Sequence, residues 1–505
     1  METNASSGTD AITNFLNGCL ISLPHQPLHF QPVAGWHCGG VRPDQRHAVD
    51  FLSTMLKRLS LLAWIGCSGG LFFGSVVFVG AQEARPLMRD FIGLNGHTIA
   101  FKPELYRPVC GWVRDYHPVE WDLGKDSAEL PGFPFAKNGV DWSRVYGSWR
   151  TNGWHTDVCL QFEALKQADW VNIEADAWAY GKAFAHGFGP SGKRKLVEAV
   201  EIGNEPGKWN DADYTRMFKA MAQGIRAGDP KLKIATCNLT TGKSGDYEKS
   251  VDCVANCPEL FDVLNVHSYA QLEGWPTWRR SFPEDPKLPH YLQDVAELCQ
   301  WRDAHAPGKP VWLGESGNAQ CGGEPGVSDV FAGGFWWLDE LGRMARHGEP
   351  FVVRQTLSGS SYGLIDDATL TPRPDYWTSV LWRRLMGTKV LAVTPSSDPL
   401  LLMYAHCTRA GASGSITLAV ENLDRQTAVS IPLDTLAGEA DVYELSSPDV
   451  GSAEIDLNGV ALQANDDGAP PPLNPRILTH ADTVVFGPAT YGFVVLPGAG
   501  APACL

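Results

Sequence analysis

Two glutamates stand at matching points of the sequence, each where an apolar run gives way to a loop. Glu205 ends the run 196–204 and is followed by Pro206 and Gly207, which stop a strand and turn the backbone. Glu315 ends the apolar run 310–314 and is followed by a second Gly-containing loop. Barrel enzymes place their catalytic groups where strands end, so the pattern predicts that both carboxyl groups face one site.

A pair of carboxyl groups in such a site suits retaining glycoside hydrolysis. One group protonates the leaving oxygen, and the other attacks the anomeric carbon from the opposite side. We interpret Glu205 as a buried strand-end carboxyl flanked by an amide, which suits a proton donor whose pKa is raised. Glu201 shares strand parity with Glu205 and would point into the barrel, where we expect it to pair with Arg or Lys rather than to take part in the chemistry.

The elements that must position this pair are eight strand-like runs alternating with helical patterns. Their order predicts an α/β fold, a (β/α)8 TIM barrel over residues 82–388, with Glu205 on the fourth strand and Glu315 on the seventh. An open doubly wound sheet is the alternative, although no Gly-rich phosphate loop opens the chain. The predicted strands are 89–97, 113–117, 156–162, 196–205, 232–237, 261–269, 310–315 and 351–356, and the main predicted helices are 175–188, 212–226, 289–302, 329–347 and 375–386.

From residue 389 to residue 505 the pattern changes to short β-rich runs separated by Asp-, Gly- and Pro-rich turns. This texture predicts a C-terminal β-sandwich domain. The runs are 400–406, 415–421, 428–433, 440–445, 453–457 and 490–496.

The amino end has the features of a secretory signal. Lys57 and Arg58 precede the uncharged, mostly apolar run 59–80, which ends in a small-residue site at Ala81. We interpret 55–81 as a signal peptide and 1–54 as a non-native extension, and we predict a secreted or periplasmic protein without a membrane contact after cleavage. A membrane anchor is the alternative, because the apolar run could span a bilayer.

The charge of the chain argues against several classes of binding partner. The formal net charge of −16 argues against nucleic acid and against an anionic membrane surface. The nearest basic cluster, 193–195, is too short to indicate a groove for a highly sulfated polysaccharide. A polysaccharide or oligosaccharide substrate remains, and the sequence does not specify an oligomeric state.

Several other residues that could do chemistry have structural interpretations. Nine cysteines follow Ala81, an odd number, and Cys253 and Cys257 lack a second pair, so we expect no metal site and no cofactor. We expect His97 and His117 to be structural. Four tryptophans lie in loops after strands, where they could stack on sugars or pack in the core: Trp121, Trp209, Trp275 and Trp278.

The chain resembles the heparanase-type family, glycoside hydrolase family 79 of clan A, most strongly over residues 196–387 and 400–505. The resemblance rests on Val311-Trp312-Leu313-Gly314-Glu315, on Val353-Arg354-Gln355 with the following Tyr362, and on Pro374-Asp375-Tyr376-Trp377. It implies that Glu205 is the acid/base and Glu315 the nucleophile, that Asn204 binds the 2-hydroxyl of the sugar, and that Tyr269 orients the nucleophile. It also implies that His267 and Tyr362 bind substrate, and that Cys407 and Cys504 form a disulfide.

Two departures from that family keep the substrate open. The segment Val113–His117 stands where the family has an Arg-Phe-Gly-Gly-like signature, and Ser360-Ser361-Tyr362 stands where it has the Gly-Asn-Tyr group that contacts a uronic carboxylate. The first hypothesis is a heparanase-like β-glucuronidase, and the second is a retaining β-glycosidase for neutral sugars such as galactan or xylan. The third is a non-catalytic carbohydrate-binding protein, which loss of either glutamate would have marked.

Overall fold

The computed structural model describes residues 87–96, 103–128, 140–270, 292–394, 396–433, 438–465, 468–480 and 482–505. All of them belong to one compact unit, Gly69–Leu505. The predicted extension and signal peptide, as well as His97, Trp275 and Trp278, lie outside the described residues.

Eight parallel strands form a closed barrel. Each strand pairs with its neighbour in chain order, β1 pairs with both β2 and β8, and β4 pairs with β5 to complete the ring. This confirms the predicted TIM barrel and rules out the open sheet. The strands are β1 (Ile92–Gly96), β2 (Trp112–Pro118), β3 (His155–Gln161), β4 (Ala199–Ile202), β5 (Lys233–Thr240), β6 (Val263–Tyr269), β7 (Val311–Gly317) and β8 (Val352–Arg354), and the short strand Lys249–Ser250 pairs with the end of β5.

Helices lie between the barrel strands in the predicted alternation. In Asp211–Gly228 the apolar residues recur every three or four positions and are buried against the barrel, and the Asn210 side chain caps the first turn by accepting the Asp213 N–H. The helices are α1 (Pro103–Tyr106), α2 (Glu120–Leu123), α3 (Trp142–Thr151), α4 (Ile173–Phe188), α5 (Asp211–Gly228), α6 (Gln293–His305), α7 (Phe331–Arg346) and α8 (Pro374–Leu385).

Aromatic side chains close the amino-terminal end of the barrel. Trp112, Trp312 and Phe351 come from strands or strand starts on three sides and meet edge to face, with ring centroids 4.8–6.1 Å apart. Small residues on β4 and β5, Ala199 and Ala235, make room for these rings within the same buried cluster. Because this end is filled, polar groups in the barrel interior can meet a ligand only at the carboxyl ends of the strands.

The chain after α8 forms antiparallel strands, in agreement with the predicted β-sandwich. The larger sheet has the order β9-β10-β11-β18-β13-β14-β15, with β16 also paired to β13, and β12 pairs with β17 in a second, two-stranded sheet. The strands are β9 (Met386–Leu391), β10 (Leu401–Thr408), β11 (Ile416–Asn422), β12 (Val429–Pro432), β13 (Glu439–Ser446), β14 (Asp456–Leu457), β15 (Val460–Ala461), β16 (Arg476–Thr479), β17 (Thr483–Phe486) and β18 (Thr490–Leu496).

A disulfide joins Cys407 on β10 to Cys504 near the carboxyl end, as the resemblance implied. We expect the double substitution Cys407→Ser/Cys504→Ser to lower the free energy of unfolding by roughly 2–5 kcal/mol, because the unfolded chain loses the constraint of a long loop. Urea unfolding of the two proteins measures the difference. A reducing agent should destabilise the wild type and leave the double variant unchanged; equal stability of the two oxidised proteins would contradict this expectation.

Candidate active site

The loop after β4 is shaped by Gly203. Its φ of +89° lies in the left-handed region, and a Cβ there would lie 2.7 Å from the Phe162 ring, so only glycine suits the position. The Gly203 N–H donates to the Leu160 carbonyl (3.0 Å), which ties this turn to the end of β3. The chain leaves β4 at this point and projects Asn204 and Glu205 into the mouth of the barrel.

Glu315, on β7, is buried and hydrogen-bonded on both oxygens. The Tyr116 hydroxyl donates to Oε2 (2.5 Å), the Tyr269 hydroxyl to Oε1 (2.6 Å), and Arg114 Nη1 to Oε2 (3.0 Å). Burial raises the pKa of Glu315, but the positive charges of His267 and Arg114 and the two hydroxyl donors outweigh it, so the pKa lies below its ordinary value. The carboxyl group is therefore ionised at neutral pH.

Glu205 faces Glu315 across the mouth. One carboxylate oxygen of Glu205 lies within 4.8 Å of one of Glu315. Glu205 Oε1 is 2.9 Å from His267 Nδ1, and the same nitrogen is 4.0 Å from Glu315 Oε2, so the imidazole lies between the two carboxyl groups. The side chain of Glu205 is 24% exposed, so the expectation of a buried proton donor was wrong: the residue lies in the loop three positions after Ile202, the last residue of β4, and extends toward solvent.

Arg114 on β2 is the centre of the buried polar network. Its guanidinium pairs with Glu201 (2.7 Å), which confirms that Glu201 meets a cation inside the barrel. It also donates to Asn95 Oδ1 and to Asn204 Oδ1 (2.9 Å each), besides Glu315. A buried cation requires such partners, and Glu201 supplies the compensating charge. Arg114 thus fixes the positions of Glu315, the candidate nucleophile, and of the Asn204 side chain, next to Glu205, relative to each other.

Sequence reasoning missed Arg114 and Tyr116, which were noted only as part of a departure from the family. The alternation of side chains along β2 is the sequence signal that could have identified these two residues. Both residues alternate with Val113 and Asp115, so they project to the same face of β2, and an arginine within a buried strand needs a carboxylate partner. Gln355 was also missed; its Nε2 lies 3.4 Å from the Tyr116 hydroxyl and 3.2 Å from the Tyr362 hydroxyl.

The structure brings together all six residues assigned to the site from the sequence. Tyr269 contacts Glu315, His267 contacts Glu205, and Asn204 contacts Arg114, as described above. Tyr362 is linked to them through Gln355, and burial raises the pKa of its phenol to about 12, so it stays protonated. The six are Asn204, Glu205, His267, Tyr269, Glu315 and Tyr362.

Three other residues considered from the sequence, His117, Trp209 and Trp121, are not part of this group of six. His117 is buried on the helix-facing side of β2, hydrogen-bonded to Asp122 and Tyr146 (2.5 Å each) and stacked on Trp142, so it has the predicted structural role. Trp209 is buried, with its ring 4.9 Å from that of Phe162, which makes it a packing residue. Trp121 is 37% exposed and could still stack on a sugar.

Among the described residues, Glu205, His267 and Glu315 present nitrogen and oxygen atoms close enough together to bind a metal ion. The guanidinium of Arg114 lies 3.0 Å from Glu315 Oε2, and two tyrosine hydroxyls also donate to that carboxylate. Like-charge repulsion from the guanidinium opposes a divalent cation at this place. We assign no reaction step to a metal.

A second buried carboxyl group lies behind β7. Glu340 on α7 accepts a hydrogen bond from the Ser316 hydroxyl (2.6 Å), and burial raises its pKa to about 8. Below pH 4.5, the ordinary value for Glu, folded and unfolded chains both hold this proton. Between that pH and about 8 only the folded chain retains it, so the group's contribution to stability is lost as pH rises.

We therefore expect Glu340→Gln to flatten the decline in stability between pH 5 and pH 8. Thermal unfolding at several pH values within this window measures the effect. The substitution Glu259→Gln, at an exposed position, is the matched control and should leave the slope unchanged. Parallel pH curves for wild type and Glu340→Gln would contradict the expectation.

Comparison with known proteins identifies relatives that are described as glycoside hydrolases or heparanases. Residues 257–342 match the family description "Glycosyl hydrolase family 79, N-terminal domain". The chain is 35% identical to "Heparanase" of Gallus gallus over 338 residues, 60% of this chain and 62% of the relative. It is 37% identical to "Baicalin-beta-D-glucuronidase" of Scutellaria baicalensis over 192 residues, 37% of this chain and 36% of the relative.

A third relative is "Inactive heparanase-2" of Mus musculus, 35% identical over 383 residues, 70% of this chain and 60% of the relative. The chain thus spans less than two thirds of the length of these curated relatives.

Solved structures share the fold. The α-L-arabinofuranosidase of Thermotoga maritima superposes with a TM-score of 0.61 at 15% identity, covering 84% of this chain and all of that one. A 4-O-α-L-rhamnosyl-β-D-glucuronidase of Fusarium oxysporum superposes with a TM-score of 0.59 at 13% identity, with the same coverage. In the part of the chain that the structure describes, every helix is too short or too polar to cross a bilayer.

Proposed function

We propose that this chain, a heparanase-type member of glycoside hydrolase family 79, is a retaining β-glycosidase that cleaves a β-glucuronide in a polysaccharide or oligosaccharide. The observation that carries the proposal is the carboxyl pair, with oxygens within 4.8 Å and Glu315 held ionised. Retaining enzymes keep their carboxyl groups about 5–5.5 Å apart, whereas inverting enzymes leave roughly 6.5–9.5 Å for a water.

In the first step, a Glu315 oxygen attacks the anomeric carbon while Glu205 donates a proton to the departing glycosidic oxygen. The bond between that carbon and oxygen breaks, and an ester to Glu315 forms. Arg114, Tyr116 and Tyr269 fix the carboxylate for attack, because their donors leave it little freedom to rotate.

In the second step, Glu205 has lost its proton and accepts one from a water that attacks the same carbon. The ester bond breaks, and Glu315 returns to its ionised form. Two displacements at one carbon leave the sugar with its original β configuration.

The β-glucuronide assignment is supported by the names of the relatives, which include a β-D-glucuronidase. Neutral sugars are the second candidate, and one contact favours them. Arg373 lies near Ser360 and Ser361, in the segment that stands in place of the family's Gly-Asn-Tyr group. Its guanidinium donates to the carbonyls of these two serines (3.0 and 2.8 Å) and pairs with Asp366. A cation engaged in this way is less available to bind a uronic carboxylate.

Hydrolysis of 4-nitrophenyl β-glucuronide, β-galactoside and β-xyloside under identical conditions tests these alternatives. We expect the glucuronide to be cleaved with the largest kcat/KM, and proton NMR should show the β-anomer as the first product. Preference for a neutral sugar would move the assignment to the second candidate. An α-anomer as first product would overturn the retaining mechanism, and no turnover of any glycoside would favour a binding protein.

We also propose that the protein is exported after cleavage near Gln82. The disulfide between Cys407 and Cys504 supports an oxidising compartment. Expression with the native leader followed by amino-terminal sequencing tests this, and a mature protein that retains residues 1–54 would contradict it.

A further inference from the structure

The carboxyl group of Glu163 lies directly behind the loop that carries Glu205. It belongs to the short 3-10 turn Phe162–Ala164, which follows β3. Its Oε1 accepts the backbone N–H groups of Asn204 (2.7 Å) and Glu205 (3.2 Å). Its Oε2 is buried without a hydrogen-bond partner among the described residues. The side chain therefore holds two successive residues of the site by their backbone.

The turn that carries Glu163 is itself fixed in the core. The Phe162 ring lies against Gly203 and packs edge to face on Trp209, whose ring centroid is 4.9 Å away. Gly203 and Trp209 flank Asn204 and Glu205 along the chain, so Phe162 contacts the loop on both sides of the residues that Glu163 binds. The position of the Glu205 backbone is thus set from the end of β3.

Charge links Glu163 to the chemistry as well. Burial raises its pKa to about 7, even though backbone N–H donors favour the ionised form. The titratable groups acting on it are Glu205, Cys159 on β3 and Cys237 on β5. Those acting on Glu205 are Glu163, His267, Glu315 and Glu248. The negative charge of Glu205 contributes to the raised pKa of Glu163, because like charges disfavour ionisation of the neighbour.

We propose that Glu163 is a positioning residue that fixes the Glu205 loop through these two N–H groups. The proposal rests on the function proposed above, in which Glu205 is the proton donor. It assigns Glu163 no contact with the substrate.

Leaving-group dependence tests the positioning role. In Glu163→Ala the loop loses its acceptor, so kcat/KM should fall by about 10²-fold for a glycoside with a poor leaving group, which needs the proton. For the 2,4-dinitrophenyl glycoside, which needs little protonation, the loss should be less than about threefold. Glu421→Gln, a buried carboxyl in the sandwich strand β11, is the control and should leave this ratio unchanged. Equal losses on both substrates would overturn the proposal.

Glu163→Gln keeps an oxygen that can accept both N–H groups, so it tests whether this acceptor positions the loop. The variant should retain kcat/KM within about threefold of the wild type on both substrates, unlike Glu163→Ala. Without turnover, amide hydrogen exchange at Asn204 and Glu205 should be faster in Glu163→Ala than in the wild type and in Glu163→Gln. If the wild type cleaves no glycoside, the proposed function fails while hydrogen exchange still decides this inference; unchanged exchange at the two amides in Glu163→Ala overturns it.

Discussion

Replacing Glu315 by Ala or Gln should reduce kcat by about 10⁴-fold or more on every glycoside, whatever its leaving group. Both steps of the proposed reaction pass through a bond to this carboxylate. Of the other carboxyl groups that the described residues place near it, Glu201 is paired with Arg114 and Glu205 lies on the opposite side of the mouth, so neither takes its place. Steady-state assays with nitrophenyl and dinitrophenyl glycosides measure the loss.

The glutamine variant separates chemistry from folding, because it keeps the shape of the side chain. Its thermal unfolding should remain cooperative, and Glu421→Gln, a buried substitution far from the mouth in sequence and on a sandwich strand, should retain activity. A 2-deoxy-2-fluoro glycoside with a good leaving group should release that group and add the mass of its fluoroglycosyl residue to the wild-type peptide that contains Glu315, and to no peptide of the variant. A label on a different carboxyl group would contradict the assignment of the nucleophile.

The predictable part of the structure is the part encoded locally. The helix Asp211–Gly228 shows its buried face in the spacing of its apolar residues, and β4 and β7 show themselves as apolar runs stopped by Gly or Pro. Because the carboxyl ends of parallel strands meet at one end of a barrel, the positions of Glu205 and Glu315 followed from topology. That they lie at the same end of the barrel needed no knowledge of the loops, whereas the exposure of Glu205 depends on the loop after β4.

Two of the strands that escaped prediction, β9 and β16, lack such a local signal. β9 begins at Met386, directly after the last residue of α8, and its middle residues are exposed, so the sequence shows no break between helix and strand. β16 is exposed along almost its whole length and therefore has no alternation of apolar and polar residues. These strands are held by pairing with other strands, β9 with the next strand β10 and β16 with β13, more than 30 positions earlier.

The site residues that escaped prediction depend on contacts across the barrel. Arg114 and Glu315 are separated by 201 positions in the sequence, and their distance of 3.0 Å depends on the register of every strand between them. Glu163 is recognised only when its carboxyl group is seen to accept two N–H groups from the loop after the next strand. A single sequence shows that a buried charge needs a partner, but it does not show which partner.

Glu205→Ala should separate the two steps of the reaction. For substrates with poor leaving groups kcat/KM should fall by about 10²–10⁴-fold, the range that general acid catalysis supplies. For the 2,4-dinitrophenyl glycoside the first step needs little proton donation, so kcat/KM should change little while kcat falls, because hydrolysis of the Glu315 ester then lacks its base. A burst of dinitrophenol, equal to the enzyme concentration, should precede the slow steady state.

Added azide should restore turnover of that substrate, because the anion attacks the ester without a base and has access to the space left by a side chain at the open mouth of the barrel. The product should be the β-glycosyl azide, since the second displacement inverts the intermediate. Glu315→Ala is the matched control: if azide rescued it, it would do so by direct displacement and give the α-azide. A β-azide from Glu315→Ala, or an α-azide from Glu205→Ala, would reverse the roles assigned to the two glutamates.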